Sequence, residues 1–346
     1  MAINIGTTFT MSDNYNDNSH PQLVAVDSTI PYIREAINVF DIQSSSTPLI
    51  IADFGSAHGS NSLYAMKMII QCLREANKIA NEKEILVIHN DLPTNDWITL
   101  FNLLNEDNTY YSLANGRSFY ESCLPPNSLS IGYSSTSLHW LSQKPCNISN
   151  HCASLFAQGN ELRAFQEQAH LDWTHFLEYR SRELITGGIL ILLIPSIDDQ
   201  GSNGFDIIRE ILYICAQSIL TPQELLDYTL PIYARKYSEC IDDELFARYK
   251  FDVIKSEFSS VTIPFIKQWQ DKQITLDEFV RLLTSYVRSW SESILKQALF
   301  ENNKSEKDIE QTINQFWNLY DQEVRKRFDQ FLNIRSNVIY LILKKK

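Results

Sequence analysis

The sequence has no apolar run of the roughly 18 residues that a membrane span needs; the longest candidate, Gly188 to Ile194, is the size of a strand. It also lacks the charged start and apolar middle of a signal peptide, because Met1-Ala-Ile-Asn-Ile-Gly6 soon gives way to the polar stretch Ser12 to His20. The six cysteines (Cys72, Cys123, Cys146, Cys152, Cys215 and Cys240) contain no Cys-x-x-Cys pair. Cys146 and Cys152, with His151 between them, form the one local cluster, and it supplies too few ligands for a metal. Reduced thiols, no metal and a cytoplasmic location are therefore expected. Basic residues are the minority, 30 Lys and Arg against 42 Asp and Glu, for a net charge of −12. That field disfavours duplex nucleic acid and anionic membranes as partners. There is no internal repeat and no long low-complexity tract.

What is present is ample apolar material. Of 346 residues 44% are hydrophobic, and 16 Tyr, 18 Phe and 6 Trp can build a large core and still line a pocket. The length suits two domains, or one domain with an inserted lobe. A polar arm leads to an expected helix over Ser28 to Phe40 with Ile33, Ile37 and Phe40 on one face, and then to a loop over Ser44 to Pro48. Leu49 to Asp53 reads as a buried strand, Asn61 to Asn77 as a helix, Glu84 to Asn90 as a strand, Trp97 to Leu104 as a helix and Ser128 to Tyr133 as a strand. An amphipathic helix is expected over Asn160 to Leu184, capped by Thr186-Gly187-Gly188, before the strand Ile189 to Ile194. This alternation predicts an α/β fold with a Rossmann-like parallel sheet covered on both faces. Beyond Pro195 helices are expected at about 205–219, 222–229, 275–299 and 305–332, with strands at 251–258 and 337–343. Those two strands would return to the sheet as an antiparallel pair. The expected division is an N-terminal lid arm (1–27), a sheet domain (28–200 with 249–262 and 334–346) and a helical cap (203–246 with 263–330). Tyr213, Tyr228, Tyr233, Phe265, Trp269, Tyr286 and Trp290 would serve that cap as core or pocket wall.

Three segments carry candidate chemistry. The first, Ile51-Ala-Asp53-Phe-Gly55-Ser-Ala-His-Gly59-Ser-Asn61, is a strand, an acid and a two-glycine loop opening a helix. Its glycines let a ligand approach backbone N–H groups, yet it is neither G-x-G-x-x-G nor a Walker loop. An acid there repels phosphate and suits an ammonium group and hydroxyl donors. S-adenosylmethionine, with its sulfonium, amino group and ribose hydroxyls, fits better than NAD or ATP. The alternative is a tight turn with a solvated Asp. In the second, His89-Asn-Asp91-Leu92, an acid at the end of the second strand can accept both ribose hydroxyls; alternatively Asp91 caps the helix near Trp97. The third comprises Gly116-Arg-Ser118-Phe119-Tyr120 and Ser134-Ser-Thr136-Ser-Leu-His139-Trp140-Leu-Ser142. Here Ser118 could bond an adenine edge, Phe119 could stack on the ring, and Trp140 offers an indole donor; taken singly, each could equally be structural.

Together with Tyr15-Asn-Asp-Asn-Ser19-His-Pro-Gln22, Arg180-Ser-Arg-Glu-Leu-Ile-Thr-Gly-Gly188 and Leu230-Pro-Ile-Tyr-Ala234, these motifs stand in family order. The sequence resembles the SABATH family of S-adenosylmethionine-dependent carboxyl methyltransferases, from about residue 12 to the C-terminus. Known plant members make methyl esters of salicylate, jasmonate and similar acids, and related members methylate xanthine nitrogens. The resemblance implies that Ser19, Asp53, Gly55, Asn61, Asp91, Leu92, Ser118, Phe119 and Ser134 hold the cofactor. It implies that Gln22 and Trp140 hold the acceptor carboxylate, with His139, Thr136 and Tyr15 in the same pocket. It also implies a homodimer. The family often has Tyr where Thr136 stands, so a larger or more polar pocket is expected.

A carboxylate with a pKa near 4 is already ionised at neutral pH. It needs no general base to attack a sulfonium methyl group, so no catalytic acid–base residue is expected, and His139 is expected to be pocket wall. Two other readings are N-methylation of a xanthine-like heterocycle, which would need a base, and S-adenosylmethionine binding without turnover.

Overall fold

The computed structural model describes residues 11–12, 14–41, 48–106, 108–332 and 334–346. The start of the expected arm and most of the expected loop from Ser44 lie outside the described residues.

Three short helices come first: α1 (Tyr15–Asn18), α2 (His20–Ser28) and α3 (Ile30–Val39). The alternating core follows as β1 (Leu49–Phe54), α4 (Ser60–Glu75), β2 (Ile85–Asp91), α5 (Trp97–Leu104), β3 (Tyr111–Gly116), β4 (Leu129–Ser135), α6 (Gly159–Glu183) and β5 (Leu184–Ile197). Then come α7 (Asp206–Ile219), α8 (Pro222–Asp227), β6 (Arg235–Lys236), α9 (Tyr237–Cys240), α10 (Asp243–Arg248) and β7 (Phe251–Thr262). The chain ends with α11 (Pro264–Gln270), α12 (Leu276–Glu301), α13 (Glu306–Lys326) and β8 (Arg335–Lys345).

The strands pair in the order β3-β2-β1-β4-β5-β8-β7, with β6 beside the end of β5. Pairing is parallel from β3 to β5, while β8 runs antiparallel to both β5 and β7, as the sequence predicts. The parallel strands are continuous apolar runs because both faces are covered. One face packs Ile51, Val87 and Ile131 against Ile33, Ile37 and Phe40 of the N-terminal helices and Met66 and Ile69 of α4. The other packs Leu190, Leu192 and Leu341 against Trp173, Phe176 and Leu177 of α6. A separate apolar cluster joins α7, α11, α12 and α13 through Ile211, Phe279, Leu283, Phe316 and Tyr320.

Three expectations change. The N-terminal segment is mostly helical from Tyr15 onward, and Tyr15, Pro21, Ala25 and Val26 are buried. By contrast, the helix expected over Ser28 to Phe40 is α3, entered through Thr29 and Ile30-Pro31. Thr186-Gly-Gly188 is no helix cap: α6 ends at Glu183, and the glycines lie inside β5. There Leu129 pairs with Leu184 but Ile131 pairs with Ile189, so β5 bulges by several residues. The last long helix stops at Lys326 and is followed by a short 3₁₀ turn over Phe328–Phe331.

Candidate active site

Strand order reverses at β1: β2 lies on one side and β4 on the other. Such a crevice, at the carboxyl ends of parallel strands, is where open α/β sheets bind ligands. A cavity of about 560 Å³ opens there and extends to the helices that follow β5.

The loop after β1 forms the cavity floor. Gly55 and Gly59 both adopt left-handed φ, 99° and 101°. A Cβ on Gly55 would lie 2.1 Å from Ser137 Oγ, and one on Gly59 would lie 2.4 Å from Leu100 Cδ1. Only glycine fits at either position. The loop is then tied to β2. The Gly55 and Ser56 N–H groups donate to the Asn90 carbonyl at 2.9 and 3.0 Å. The Ala57 N–H donates to Asp91 Oδ2 at 2.7 Å, and the Leu92 N–H to Asp91 Oδ1 at 2.8 Å.

Asp53 and Asp91 both line the cavity. Neither of their alternative roles holds. Asp53 is only 4% exposed, so it is no solvated turn residue. The helix after β2 is capped by Asp96, whose Oδ1 accepts the Thr99 N–H at 3.0 Å, and not by Asp91. Burial pushes the Asp53 carboxyl up to about 7, against a hydrogen bond from Ser62, and the Asp91 charge adds to the rise. Burial raises Asp91 too, partly offset by its two backbone donors. Two acids facing one dry cavity are a site for a ligand that brings positive charge and hydroxyl donors.

Asn90 extends the floor sideways. Its Nδ2 donates to the Asn115 and Arg117 carbonyls at 3.0 and 2.8 Å, which places the turn bearing Ser118 and Phe119. Arg180 of α6 supports that turn from beneath. It is fully buried, pairs with Glu183 at 2.8 Å and donates to the Phe119 and Glu121 carbonyls at 2.8 and 2.9 Å. Its guanidinium lies 4.2 Å from the centre of the Phe54 ring.

The N-terminal helices form one wall, with Tyr15, Asn16 and Gln22 on the cavity. Their start is fastened twice. Asn16 bonds the His58 carbonyl at 3.0 Å, and the Ser12 N–H reaches the Ser289 carbonyl of α12 at 3.0 Å. Gln22 Oε1 is buried without a partner. The turn after β4 supplies Thr136, His139 and Trp140. Behind it runs Leu230 to Ala234: Trp140 bridges Ile232, and the Tyr233 N–H donates to the His139 carbonyl at 2.8 Å. The Tyr120 hydroxyl donates to the Trp140 carbonyl at 2.7 Å. His139 Nδ1 is buried and unpartnered, and burial together with the Arg209 and Arg235 charges holds this imidazole down at about 3.

The cavity thus gathers Tyr15, Gln22, Asp53, Gly55, Asn61, Asp91, Leu92, Ser118, Phe119, Thr136, His139 and Trp140. It leaves out two expected residues. Ser134 lies inside β4, where its hydroxyl donates to the Phe54 carbonyl at 2.7 Å; its neighbour Ser135 reaches the cavity instead. Ser19 is buried behind Asn61, whose Nδ2 donates to the Ser19 hydroxyl at 3.0 Å. Among the lining residues not singled out in the sequence are Asn203, Phe205, Arg209 and Ile263. Of the cap aromatics, Tyr286 and Trp290 reach the cavity, while Tyr228 is fully buried core.

Residues 8–334 match the family described as SAM dependent carboxyl methyltransferase. The chain belongs to this family. A farnesoic acid carboxyl-O-methyltransferase of Arabidopsis thaliana is 31% identical over 265 residues, 68% of this chain and 75% of that one. A loganic acid O-methyltransferase of Catharanthus roseus is 24% identical across 97% of this chain and 92% of its own. The solved structure of a loganic acid methyltransferase with SAH superposes with a TM-score of 0.80, at 23% identity and 98% coverage of both chains, and confirms the fold. S-adenosylmethionine is the cofactor of the family, and the lining suits it: two buried acids, a loop whose glycines leave room for close approach, and the Ser56 and Ser135 hydroxyls, both buried and unpartnered. Among the described residues no cluster of His, Cys, Asp and Glu could hold a metal, and no helix is long and apolar enough to cross a membrane.

Proposed function

We propose that this carboxyl methyltransferase esterifies a small organic acid by in-line transfer with no dedicated general base, and that Gln22 and Trp140 hold the acceptor carboxylate. The observation that carries the reading is the pair of buried acids, Asp53 and Asp91, at the carboxyl ends of β1 and β2. S-adenosylmethionine, when bound, supplies an electrophilic methyl group on a positively charged sulfur. Asp53 holds the cationic amino end, and Asp91 accepts the ribose hydroxyls with its remaining lone pairs. Gly55, Asn61 and Leu92 shape the pocket, Asn61 being fixed by Ser19. Ser118 and Phe119 take the adenine.

The acceptor's charge is present before it arrives. Its oxygen forms the new C–O bond as the C–S bond breaks and that electron pair returns to sulfur, so no proton moves. The protein's contribution is alignment and exclusion of water, and alignment alone can supply about 7–11 kcal/mol. The Gln amide and the indole N–H are donors suited to carboxylate oxygens. Tyr15, Thr136 and His139 complete the wall. The N-terminal helices act as the lid and the helices after β5 as the cap. A xanthine-like acceptor would need a base, and an imidazole held at about 3 is a poor one. The reading includes a cytoplasmic homodimer, resting on the family resemblance and the six free thiols.

The test is a kinetic comparison of Gln22→Ala and Trp140→Ala with the wild type. Each should raise KM for acids at least tenfold, with a smaller effect on kcat. Unchanged KM in both variants would remove the clamp.

A further inference from the structure

Arg209 is the charge on the cavity wall that the reading above leaves unused. It sits in the first turns of α7, is 7% exposed, and lines the cavity with Asn203, Phe205, Tyr286 and Trp290. Its Nη1 donates to Asn203 Oδ1 at 2.6 Å. Asn203 is itself buried, and its Oδ1 also accepts the Phe205 N–H at 2.9 Å, so the guanidinium is held at a fixed angle. No carboxylate pairs with it among the described residues. Asp206 is near enough to act through its charge, but its Oδ1 takes the Asn203 N–H at 3.4 Å.

The contrast with the two other fully buried arginines is informative. Arg180 has the Glu183 carboxylate and two carbonyls. Arg235 spends its Nη groups on the Leu138 and Ala169 carbonyls, tying the strand-end loops to α6. Both are structural fasteners. Arg209 makes one side-chain hydrogen bond, to Asn203, and lines the cavity. Burying a cation without a partner is costly in a folded protein and is retained where a ligand supplies the missing charge. The His139 imidazole, within reach of the Arg209 charge, is held neutral and does not compete for that anion.

We propose that Arg209 binds a second anionic group on the acceptor, so that the substrate is a dicarboxylic acid of which one carboxylate is methylated and the other is gripped by the guanidinium. This rests on the carboxyl-methylating reading and narrows it. Arg209 lines the same cavity as Gln22 and Trp140, and Trp140 packs against the same helical cluster as Phe205, Tyr286 and Trp290. A molecule that meets both the clamp and the guanidinium carries two acids on one apolar scaffold. Arginine's fork takes a carboxylate in two parallel bonds, which a monoacid or its amide cannot offer there. The product keeps one negative charge, and the second methylation requires the monoester to bind with its neutral ester at Arg209. The enzyme therefore stops at the monoester.

The experiment uses the full chain and pairs of acids matched in length, with one or two carboxylates, on aliphatic and aromatic spacers. Each is assayed for methyl transfer in wild type, Arg209→Met and Arg209→Lys. Binding of the same acids to protein saturated with S-adenosylhomocysteine is measured by calorimetry. Within at least one spacer series the wild type should prefer the diacid by about ten- to a hundredfold in kcat/KM, the range of a charge-assisted pair. Arg209→Met should bring that ratio to within about threefold of one, and Arg209→Lys should fall between. Calorimetry should show the same loss, with S-adenosylhomocysteine affinity unchanged as the check on folding. A wild type that favours monoacids in every series, or an Arg209→Met variant that keeps the diacid preference, overturns the proposal. If no acid is methylated, the carboxyl reading fails, and the calorimetric diacid preference still decides the role of Arg209.

Discussion

Asp91 Oδ2 accepts the backbone N–H of Ala57 at 2.7 Å, so the acid at the end of β2 holds the loop at the end of β1. Ala57 has a left-handed φ of 46°, a conformation a residue with a Cβ adopts only when its surroundings hold it there. One carboxylate thus fixes the loop and faces the cavity. Asp91→Ala should weaken S-adenosylmethionine binding by at least tenfold and loosen the loop, since charge-assisted hydrogen bonds contribute roughly 1.5–3 kcal/mol each. Calorimetry reads the affinity, and hydrogen exchange at residues 55–60 reads the loop. Wild-type affinity in this variant would remove Asp91 from the site.

Asp53 gives a pH dependence with a defined sign. Its carboxyl is at about 7 in the ligand-free protein against an ordinary 3.8. Between those values the folded protein keeps a proton that the unfolded chain has released. Stability from this group is therefore lost as pH rises from about 4 to 7, and levels off above 7. A cationic ligand favours the ionised form, so S-adenosylmethionine affinity should increase with pH across the same window. Asp53→Asn should flatten both slopes. A wild-type affinity that does not vary between pH 5 and 8 would count against the assignment.

His139 separates the carboxylate reaction from one that needs a base. Losing a general base costs about 10²–10⁴ in rate. His139→Gln should reduce kcat less than tenfold on a carboxylic acid, and kcat should show no ascending limb between pH 6 and 9. A fall of a hundredfold or more, with an intact S-adenosylmethionine affinity, would make His139 the base.

Arg180 and Glu183 form a buried pair under the turn that bears Ser118 and Phe119. Removing one partner of such a pair typically costs 3–5 kcal/mol, because the other charge is left buried and alone. Arg180→Met should show that loss in urea unfolding, and Glu183→Gln a smaller one, since Gln still accepts a hydrogen bond. A change below about 1 kcal/mol in Arg180→Met would mean that the turn stands without it.

The sequence made the inner strands legible because strands buried on both faces are unbroken apolar runs. Ile189 to Ile194 and Val338 to Leu343 are the clearest cases. It hid β3, whose residues Tyr111, Ser112, Leu113, Ala114, Asn115 and Gly116 lie at the sheet edge with Tyr111 and Leu113 exposed. With neither a continuous run nor a β-branched residue, this strand is defined by its pairing with β2. The two glycines after α6 look like a helix end because a bulge and a cap call for the same residue. The positions of Asp53 and Asp91 on the cavity were legible, each standing at the end of a strand ahead of a loop. Arg209 was not, since one arginine in an amphipathic helix usually faces water, and only the packing of α7 against the cavity turns it inward. Ser134 and Ser135 differ by one position, which in a strand is the difference between one face and the other.

The most direct test of the central claim is transfer of a ¹³C-methyl group from labelled S-adenosylmethionine by the purified chain, followed by mass spectrometry and mild alkaline hydrolysis. The account predicts label in an alkali-labile methyl ester of a small carboxylic acid, matched by an equal amount of S-adenosylhomocysteine. Label in an alkali-stable N-methyl product, with every acid in the panel unmodified, would contradict it.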